Sequence, residues 1–179
     1  ELRLWNVPQR YALAVEATPP PRAALLPHIW LSDEEIRQGQ RLLEQLPDKA
    51  DTPPIALHPY ATHPDKAWKE AYWRQLVELF ESRGIPWIVI GRGSGMEGIP
   101  ASRNFTNRTS LRETCALLKS SSLLITGDSG PMHLAGAVGT PVLALFGPTT
   151  EEWGFFPAGP KDRVLESQLD CRPCTLHGK

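Results

Sequence analysis

The clearest structural signal in the sequence is the stretch LLITGDSGPMHLAGAVGTPVLALF, residues 123–146. It begins with an apolar run typical of a buried strand and passes through a turn that Gly127 and Gly130 bracket. Pro131 stands where the first helical residue is expected, and proline is favoured there because its missing N–H would have no partner. A short helix over 130–138 leads to a second apolar run. Two strands joined by a helix predict a parallel pair.

The same alternation of strands and helices extends beyond this unit. We predict further strands at residues 55–58, 86–90 and 163–165, and further helices at 68–82 and from Ser110 onward. Gly84 is a natural stop for the first of these helices. The alternation favours an α/β fold with a Rossmann-like, doubly wound parallel sheet. In such a sheet a ligand lies in the crevice beyond the carboxyl ends of the strands.

The first 54 residues differ in composition from the rest and predict a connection rather than a domain. Three consecutive prolines, residues 19–21, favour a stiff extended spacer. Ser32 and Glu35 have the spacing of a capping box, so a helix is expected from there to just before Pro47. We assign residues 1–54 to an interdomain connection with a linker helix. Residues 55–179 are assigned to a binding domain truncated at its C-terminus, within a longer protein because no initiator Met is present.

Composition argues against several classes of partner and site. The formal net charge of -1 gives no basic face for nucleic acid. No apolar run approaches the ~20 residues that cross a bilayer, and no signal peptide is visible, so we expect reduced cysteines and a cytoplasmic location. Cys115 is expected to be a buried free thiol. Cys171, Cys174 and His177 would supply three of the four ligands of a closed zinc site, so we predict no metal.

The turn after residues 123–126 has the properties of an anion site. We expect the free N–H groups of Gly130, Met132 and His133 to point beyond the strand ends, where the helix dipole also favours negative charge. The alternative is that Asp128 and Ser129 only cap the helix. Because the Asp128 carboxylate would repel a diphosphate, we expect it to organise the turn or to face another group.

Other polar residues are expected at the same edge of the sheet. Lys66 follows the first strand, where its ammonium either neutralises phosphate or is merely solvated. Thr149 and Thr150 follow a later strand and either donate hydroxyls to phosphate or form a turn. The loop 91–98 has Gly-x-Gly spacing but lacks the third glycine and the following helix of a dinucleotide site. In that loop Glu97 either holds a ribose diol or is solvated.

Several of these segments together resemble glycosyltransferase family 9, which contains the ADP-heptose:lipopolysaccharide heptosyltransferases. The similar segments are residues 128–135, 139–142 and 145–149, the Lys-x-Trp segment of residues 66–68, and the late cysteine pair at 171–174. The resemblance implies the donor-binding half of a GT-B glycosyltransferase, which has two Rossmann-like domains around a cleft. It also implies inverting transfer without a metal or other cofactor.

By this resemblance, Lys66 and the turn contact the diphosphate of a nucleotide sugar, with ADP-heptose as the expected donor, and Glu97 holds the ribose. The donor-binding residues predicted from the sequence are Lys66, Glu97, Asp128, Ser129, Gly130, Pro131, Met132, His133 and Thr149. The general base and the site for a lipopolysaccharide-core acceptor are expected in a missing N-terminal domain, so this chain alone should transfer little sugar. Peripheral contact with the inner face of the inner membrane, a sugar-nucleotide epimerase and a non-catalytic nucleotide-binding module remain open alternatives.

Overall fold

The computed structural model describes residues 5–47, 52–168, 170 and 172. Its centre is a sheet of five parallel strands in the spatial order β2-β1-β3-β4-β5. The strands are β1 (Ile55–His58), β2 (Trp87–Val89), β3 (Leu123–Gly127), β4 (Val142–Phe146) and β5 (Arg163–Glu166). The predicted α/β fold with a doubly wound parallel sheet is confirmed, as is the edge strand near residue 163.

The helices connect these strands in the predicted order. They are α1 (Val7–Ala12), α2 (Asp33–Leu43), α3 (Glu70–Ser82), α4 (Leu111–Lys119) and α5 (Gly130–Val138). Short 3-10 turns lie at Arg22–Leu25, Pro64–Lys66 and Glu151–Trp153. The helix α3 begins two residues later than the sequence predicts. Its start is delayed because the 3-10 turn at Pro64 ends with a hydrogen bond from the Ala67 N–H to the Pro64 carbonyl (2.9 Å).

Both faces of the central sheet are covered, which explains why β1 to β4 are mostly apolar, whereas the edge strand β5 is largely exposed. Helices α4 and α5 pack on one face, with Leu117, Leu118 and Met132 fully buried. Helix α3 packs on the other face, with Trp73 and Phe80 in its core. Buried side chains alternate along the strands between these two cores.

The order of the strands creates one natural place for a ligand. The chain runs from β1 outward to β2 and then returns to β3 on the opposite side of β1. The connections after β1 and β3 therefore diverge to opposite faces, and a crevice opens between the carboxyl ends of these two strands. The loop that contains Lys66 and the turn at residues 127–130 both start at this point.

The described part of the N-terminal segment packs against the sheet unit. The helix α1 was not predicted, and it begins with a capping box formed by Asn6 and Gln9. The Arg10 guanidinium donates to the carbonyls of Glu152 (2.8 Å) and Trp153 (3.0 Å). Helix α2 begins after the predicted Ser32 and packs on α4. The domain boundary at residue 54 stays a prediction.

None of the described helices is long and apolar enough to cross a membrane.

Candidate functional site

The site lies where the loops that follow β1 and β3 meet. The Lys66 ammonium is 2.7 Å from a carboxylate oxygen of Asp128, and each side chain is only 15% exposed. Lys66 is therefore held by a partner rather than freely solvated. Asp128 faces another group, which is one of the two roles that the sequence analysis left open for it. An ammonium has three donors, so this ion pair leaves Lys66 able to contact a second anion.

The Ser129 side chain points inward instead of capping α5. Ser129 is the N-cap residue, yet among the described residues its side chain accepts no hydrogen bond from the helix backbone. Its hydroxyl oxygen lies 3.0 Å from Thr126 Oγ1 and 3.3 Å from both His58 Nδ1 and the Gly127 carbonyl. The capping alternative for Asp128 and Ser129 therefore does not describe what these side chains do.

Within the part of the chain that the structure describes, one N–H group at the start of α5 has a backbone acceptor. The Met132 N–H donates to the Ser129 carbonyl (3.1 Å), and the Met132 side chain is fully buried. The expectation of a free N–H at Met132 was thus wrong, because the first turn closes on itself there. Gly130 is exposed, and no described atom lies within 4 Å of where its Cβ would be. A ligand can therefore approach this backbone closely.

His58 lies beneath the turn and was missed by the sequence analysis. It is the last residue of β1, is 6% exposed, and its Nδ1 is 3.0 Å from Thr126 Oγ1. Burial lowers the pKa of the imidazole to about 4, so it is neutral at pH 7. The sequence does show a polar residue near the end of each of two apolar strands, His58 in β1 and Thr126 in β3. Only the register, which places His58 opposite Thr126, brings them together.

Contacts with aromatic rings explain the glycine-rich loop. A Cβ on Gly91 would lie 2.5 Å from the His58 ring, and one on Gly93 would lie 2.4 Å from the Tyr60 ring. Tyr60 is fixed by a hydrogen bond between its hydroxyl and that of Thr106 (2.7 Å). The two glycines thus allow the loop after β2 to pack on these rings. This packing explains the Gly-x-Gly spacing without a bound dinucleotide.

Glu97 lies in the same loop but does not join the turn. Its side chain is 96% exposed, and the Arg74 guanidinium lies 4.0 Å away. Among the described residues no hydrogen bond or ion pair joins Glu97 to Lys66 or Asp128. Its assignment to a ribose stays a prediction.

The loop after β4 presents two buried hydroxyls. Thr149 and Thr150 are buried, and within the described chain neither hydroxyl has a hydrogen-bond partner. The Thr149 carbonyl accepts from Arg172 (2.7 Å), whose mostly buried guanidinium also pairs with Glu166 (2.9 Å) and donates to the Ser167 carbonyl. Arg172 was not predicted, because the pattern of its segment draws attention only to the neighbouring cysteines.

His133 lies one turn into α5 and is exposed. Partial loss of solvent around its ring lowers the pKa of the imidazole, and the Asp128 carboxylate opposes part of this shift. The side chain therefore adds no full positive charge at pH 7. A bound polyanion would raise this pKa and favour the protonated form.

A cleft of about 410 Å³ opens beside Lys66. Its walls come from the residues after β1, including Trp68, and from the ends of β4 and β5, including Gly147 and Glu166. Lys66 thus borders a space large enough for part of a small-molecule ligand.

Within the described residues no group of three or more potential ligands could hold a metal ion. Cys115 is buried and free, as predicted. Cys171, Cys174 and His177 lie outside the described residues.

A comparison with protein families matches residues 6–179 to glycosyltransferase family 9 (heptosyltransferase). Among curated proteins, lipopolysaccharide heptosyltransferase 1 of Pseudomonas aeruginosa is 36% identical over 146 residues. That match covers 73% of this chain and 39% of the relative.

Solved structures with the same fold include a glycosyltransferase family 9 protein from Veillonella parvula, with a TM-score of 0.69 and 25% identity over 78% of this chain. They also include the ADP-heptose lipopolysaccharide heptosyltransferase II of Escherichia coli, with a TM-score of 0.66 and 25% identity over 82% of this chain. This chain covers 42% and 46% of those two chains. It therefore spans less than half the length of the relatives that it matches.

Proposed function

The chain belongs to glycosyltransferase family 9, the heptosyltransferase family, and on this basis we propose that it is the donor-binding part of a GT-B glycosyltransferase. The donor that we propose is ADP-heptose, the sugar nucleotide in the name of the similar Escherichia coli protein. We assign donor binding to residues 55–179 and an interdomain connection to residues 1–54. A glycosyltransferase family model favours transfer over the epimerase alternative.

The observation that carries this proposal is the Lys66–Asp128 ion pair (2.7 Å) beside the open start of α5. In our proposal the diphosphate lies between the Lys66 ammonium and the N–H groups of Gly130 and His133. Asp128 holds the ammonium in place, and the ammonium in turn screens the diphosphate from the Asp128 carboxylate. A helix N-terminus and a cation together favour an anion more than either does alone.

The remaining predicted donor residues take supporting roles in this proposal. Ser129 contributes backbone, while Pro131 and Met132 shape the first turn of α5. The buried Thr149 hydroxyl has no partner among the described residues, and we assign it a hydrogen bond to the donor. Glu97 is exposed and free to bind the ribose diol.

This arrangement favours the departure of the nucleoside diphosphate during sugar transfer. Negative charge grows on the diphosphate as its bond to the anomeric carbon breaks. Fixed donors aimed at that charge stabilise the transition state more than the ground state. We propose inverting transfer without a metal, since an ammonium and backbone N–H groups already supply positive charge.

The acceptor side of the reaction is assigned outside these residues. We propose that a lipopolysaccharide-core acceptor and the general base are held by an N-terminal domain. Because alignment of donor and acceptor supplies much of the rate, we expect this chain alone to bind nucleotide and to transfer little sugar. Robust transfer by the 179-residue chain would contradict that expectation.

Titration calorimetry with ADP, UDP, GDP and ADP-heptose tests the proposed donor. We expect ADP and ADP-heptose to bind this chain, with UDP and GDP weaker. Binding of UDP-sugars alone would rule out an ADP-heptose donor, and no binding of any nucleotide would remove the proposed function itself.

A further inference from the structure

Two glycines at the carboxyl edge of the sheet are explained by space rather than by backbone conformation. Gly127 ends β3, Gly147 directly follows β4, and neither has a φ in the left-handed region that favours glycine. A Cβ on Gly127 would lie 3.3 Å from the Lys66 carbonyl oxygen, and a Cβ on Gly147 would lie 3.3 Å from the Asp65 carbonyl oxygen. The missing side chains therefore leave room for the close approach of another part of the chain.

The part of the chain that fills this room is the 3-10 turn Pro64–Lys66. Side chains alternate along a strand, and Ile125 and Leu145, each two residues before one of the glycines, pack in the core on the α3 face. The turn therefore lies across the ends of β3 and β4 on that face. A hydrogen bond from the Lys66 N–H to the His63 carbonyl (3.0 Å) helps to hold the turn together, so a displacement at one point moves all of it.

The location of this turn determines where the Lys66 ammonium lies. Lys66 is the last residue of the turn, and its ammonium is 2.7 Å from an Asp128 carboxylate oxygen. A turn displaced from the strand ends would carry the Lys66 backbone away from Asp128, and the flexible lysine stem absorbs only a small displacement. We propose that Gly127 and Gly147 are positioning residues that let the turn lie against the strand ends, so that Lys66 reaches both Asp128 and the diphosphate. The inference rests on the proposed function of Lys66, and it assigns a role to two residues that act on the ligand only through Lys66.

A comparison of Gly147→Ala with Gly147→Val tests this role. Alanine adds one methyl group and requires a small displacement of the Asp65 carbonyl. The lysine stem absorbs this displacement, so the ADP affinity of Gly147→Ala should stay within about twofold of the wild type. Valine adds two further methyl groups at the same point. We expect Gly147→Val to bind ADP about tenfold more weakly, at the lower end of the cost of losing a hydrogen bond to a charged group.

The Lys66→Ala background separates positioning from a direct effect on the ligand or the fold. If the glycines act through Lys66, Gly147→Val should change the ADP affinity of Lys66→Ala by less than about twofold. A merely structural role, or a clash with the ligand, would weaken binding equally in both backgrounds. Gly127→Val repeats the test from β3, where the new side chain meets the Lys66 carbonyl. Gly136→Val is the matched control, because a Cβ there has no close neighbour outside its own helix among the described residues, and it should bind ADP like the wild type.

Calorimetry with ADP and thermal unfolding of these variants test the inference. It would be overturned by folded valine variants that bind ADP as tightly as the wild type, or that lose as much affinity in the Lys66→Ala background as alone. If neither valine variant folds, Gly127→Ala/Gly147→Ala presses on the turn at both contacts with the smallest side chain. We expect this double variant to bind ADP about threefold more weakly, and wild-type affinity would overturn the inference. Absence of ADP binding to the wild type would instead contradict the proposed function.

Discussion

Helices α4 and α5 pack side by side on one face of the sheet, and each begins after a serine, but the two serines do different things. Ser110 accepts a hydrogen bond from the Glu113 N–H (3.2 Å), and the Glu113 carboxylate accepts from the Ser110 N–H (2.8 Å). This capping box gives the N–H groups of Ser110 and Glu113 hydrogen-bond acceptors within the first turn of α4 itself. Ser129 is turned toward His58 and Thr126. The first turn of α5, all of which the structure describes, has no acidic side chain.

The start of α4 is therefore stabilised by its own side chains, whereas the start of α5 can bind a ligand. At α4 an internal carboxylate already complements the helix dipole. At α5 the equivalent position is Met132, which carries no charge, and the ammonium of Lys66 is held across the crevice in its pair with Asp128. Serine at the N-cap position thus caps α4 but leaves the start of α5 uncapped.

The strongest change that we expect is a loss of stability in acid, because a buried neutral histidine lies beneath α5. The pKa of His58 is about 4 in the folded chain and near 6.5 when unfolded, so the unfolded state binds more protons between these values. Stability from this group is complete above pH 6.5 and is lost as pH falls toward 4, by on the order of 3 kcal/mol. Urea unfolding as a function of pH measures this loss.

The control is His58→Asn, which keeps a polar atom near the Nδ1 position but does not titrate in this range. We expect it to remove most of the slope between pH 6.5 and 4.5, and the slope that remains includes His133, whose pKa is also lowered by burial. The lowered pKa values of Glu34, Glu35 and Glu113 act mainly below their ordinary value of 4.5. An equal acid slope in His58→Asn would show that the histidine is not the cause.

The second effect concerns ligand binding at the open helix. Lys66→Ala should weaken ADP binding by about 1–3 kcal/mol, because it removes a charge-assisted contact and leaves the Asp128 carboxylate to repel the diphosphate. Lys69→Ala removes an exposed lysine three residues away and is the matched control. Calorimetry that gives the same affinity for both variants would remove Lys66 from the site.

The third effect concerns the closed helix. Ser110→Ala should reduce the free energy of unfolding by ~1 kcal/mol, since it removes the cap of α4. The same variant should bind ADP like the wild type. Weaker ADP binding without loss of stability would reverse the roles that we assign to the two helices, and thermal unfolding with calorimetry distinguishes these results.

The smallest effect compares two glycines of α5 that have room for a Cβ among the described atoms, Gly130 and Gly136. Alanine at either position should raise stability slightly, by up to roughly 0.5–1 kcal/mol, because glycine is a poor helix former. Only Gly130→Ala should also weaken ADP binding, since its new methyl group would meet a ligand at the start of the helix. Equal ADP affinity of the two variants would argue against close approach at Gly130.

Much of the fold could be predicted because the long apolar runs are separated by glycine, proline and helix-capping residues. The helix α5 spans residues 130–138 as predicted, with Pro131 at its start, and the capping box at Ser32 and the cap at Ser110 mark α2 and α4. The six-residue helix α1 could not be predicted in this way. It is too short to show a period, and contacts with residues 152–154 help to hold it.

The candidate site was predictable only in part. Lys66 and Asp128 each follow an apolar strand, so the topology alone predicts that they meet at one sheet edge. The role of His58 depends on the register of β1 with β3, which no local pattern specifies. The sequence likewise left open whether Ser129 caps its helix, because one of its competing partners, His58, lies 71 residues away in the chain.

Titration of the ¹⁵N-labelled chain with ADP compares the two helices in one experiment, because backbone amide shifts report on both helix starts at once. We expect the largest shifts at the amides of residues 128–130, 132 and 133 and of Lys66, while those of residues 110–113 at the start of α4 hardly move. Saturating ADP that shifts the two helix starts equally, or leaves residues 128–133 unchanged, would contradict this expectation.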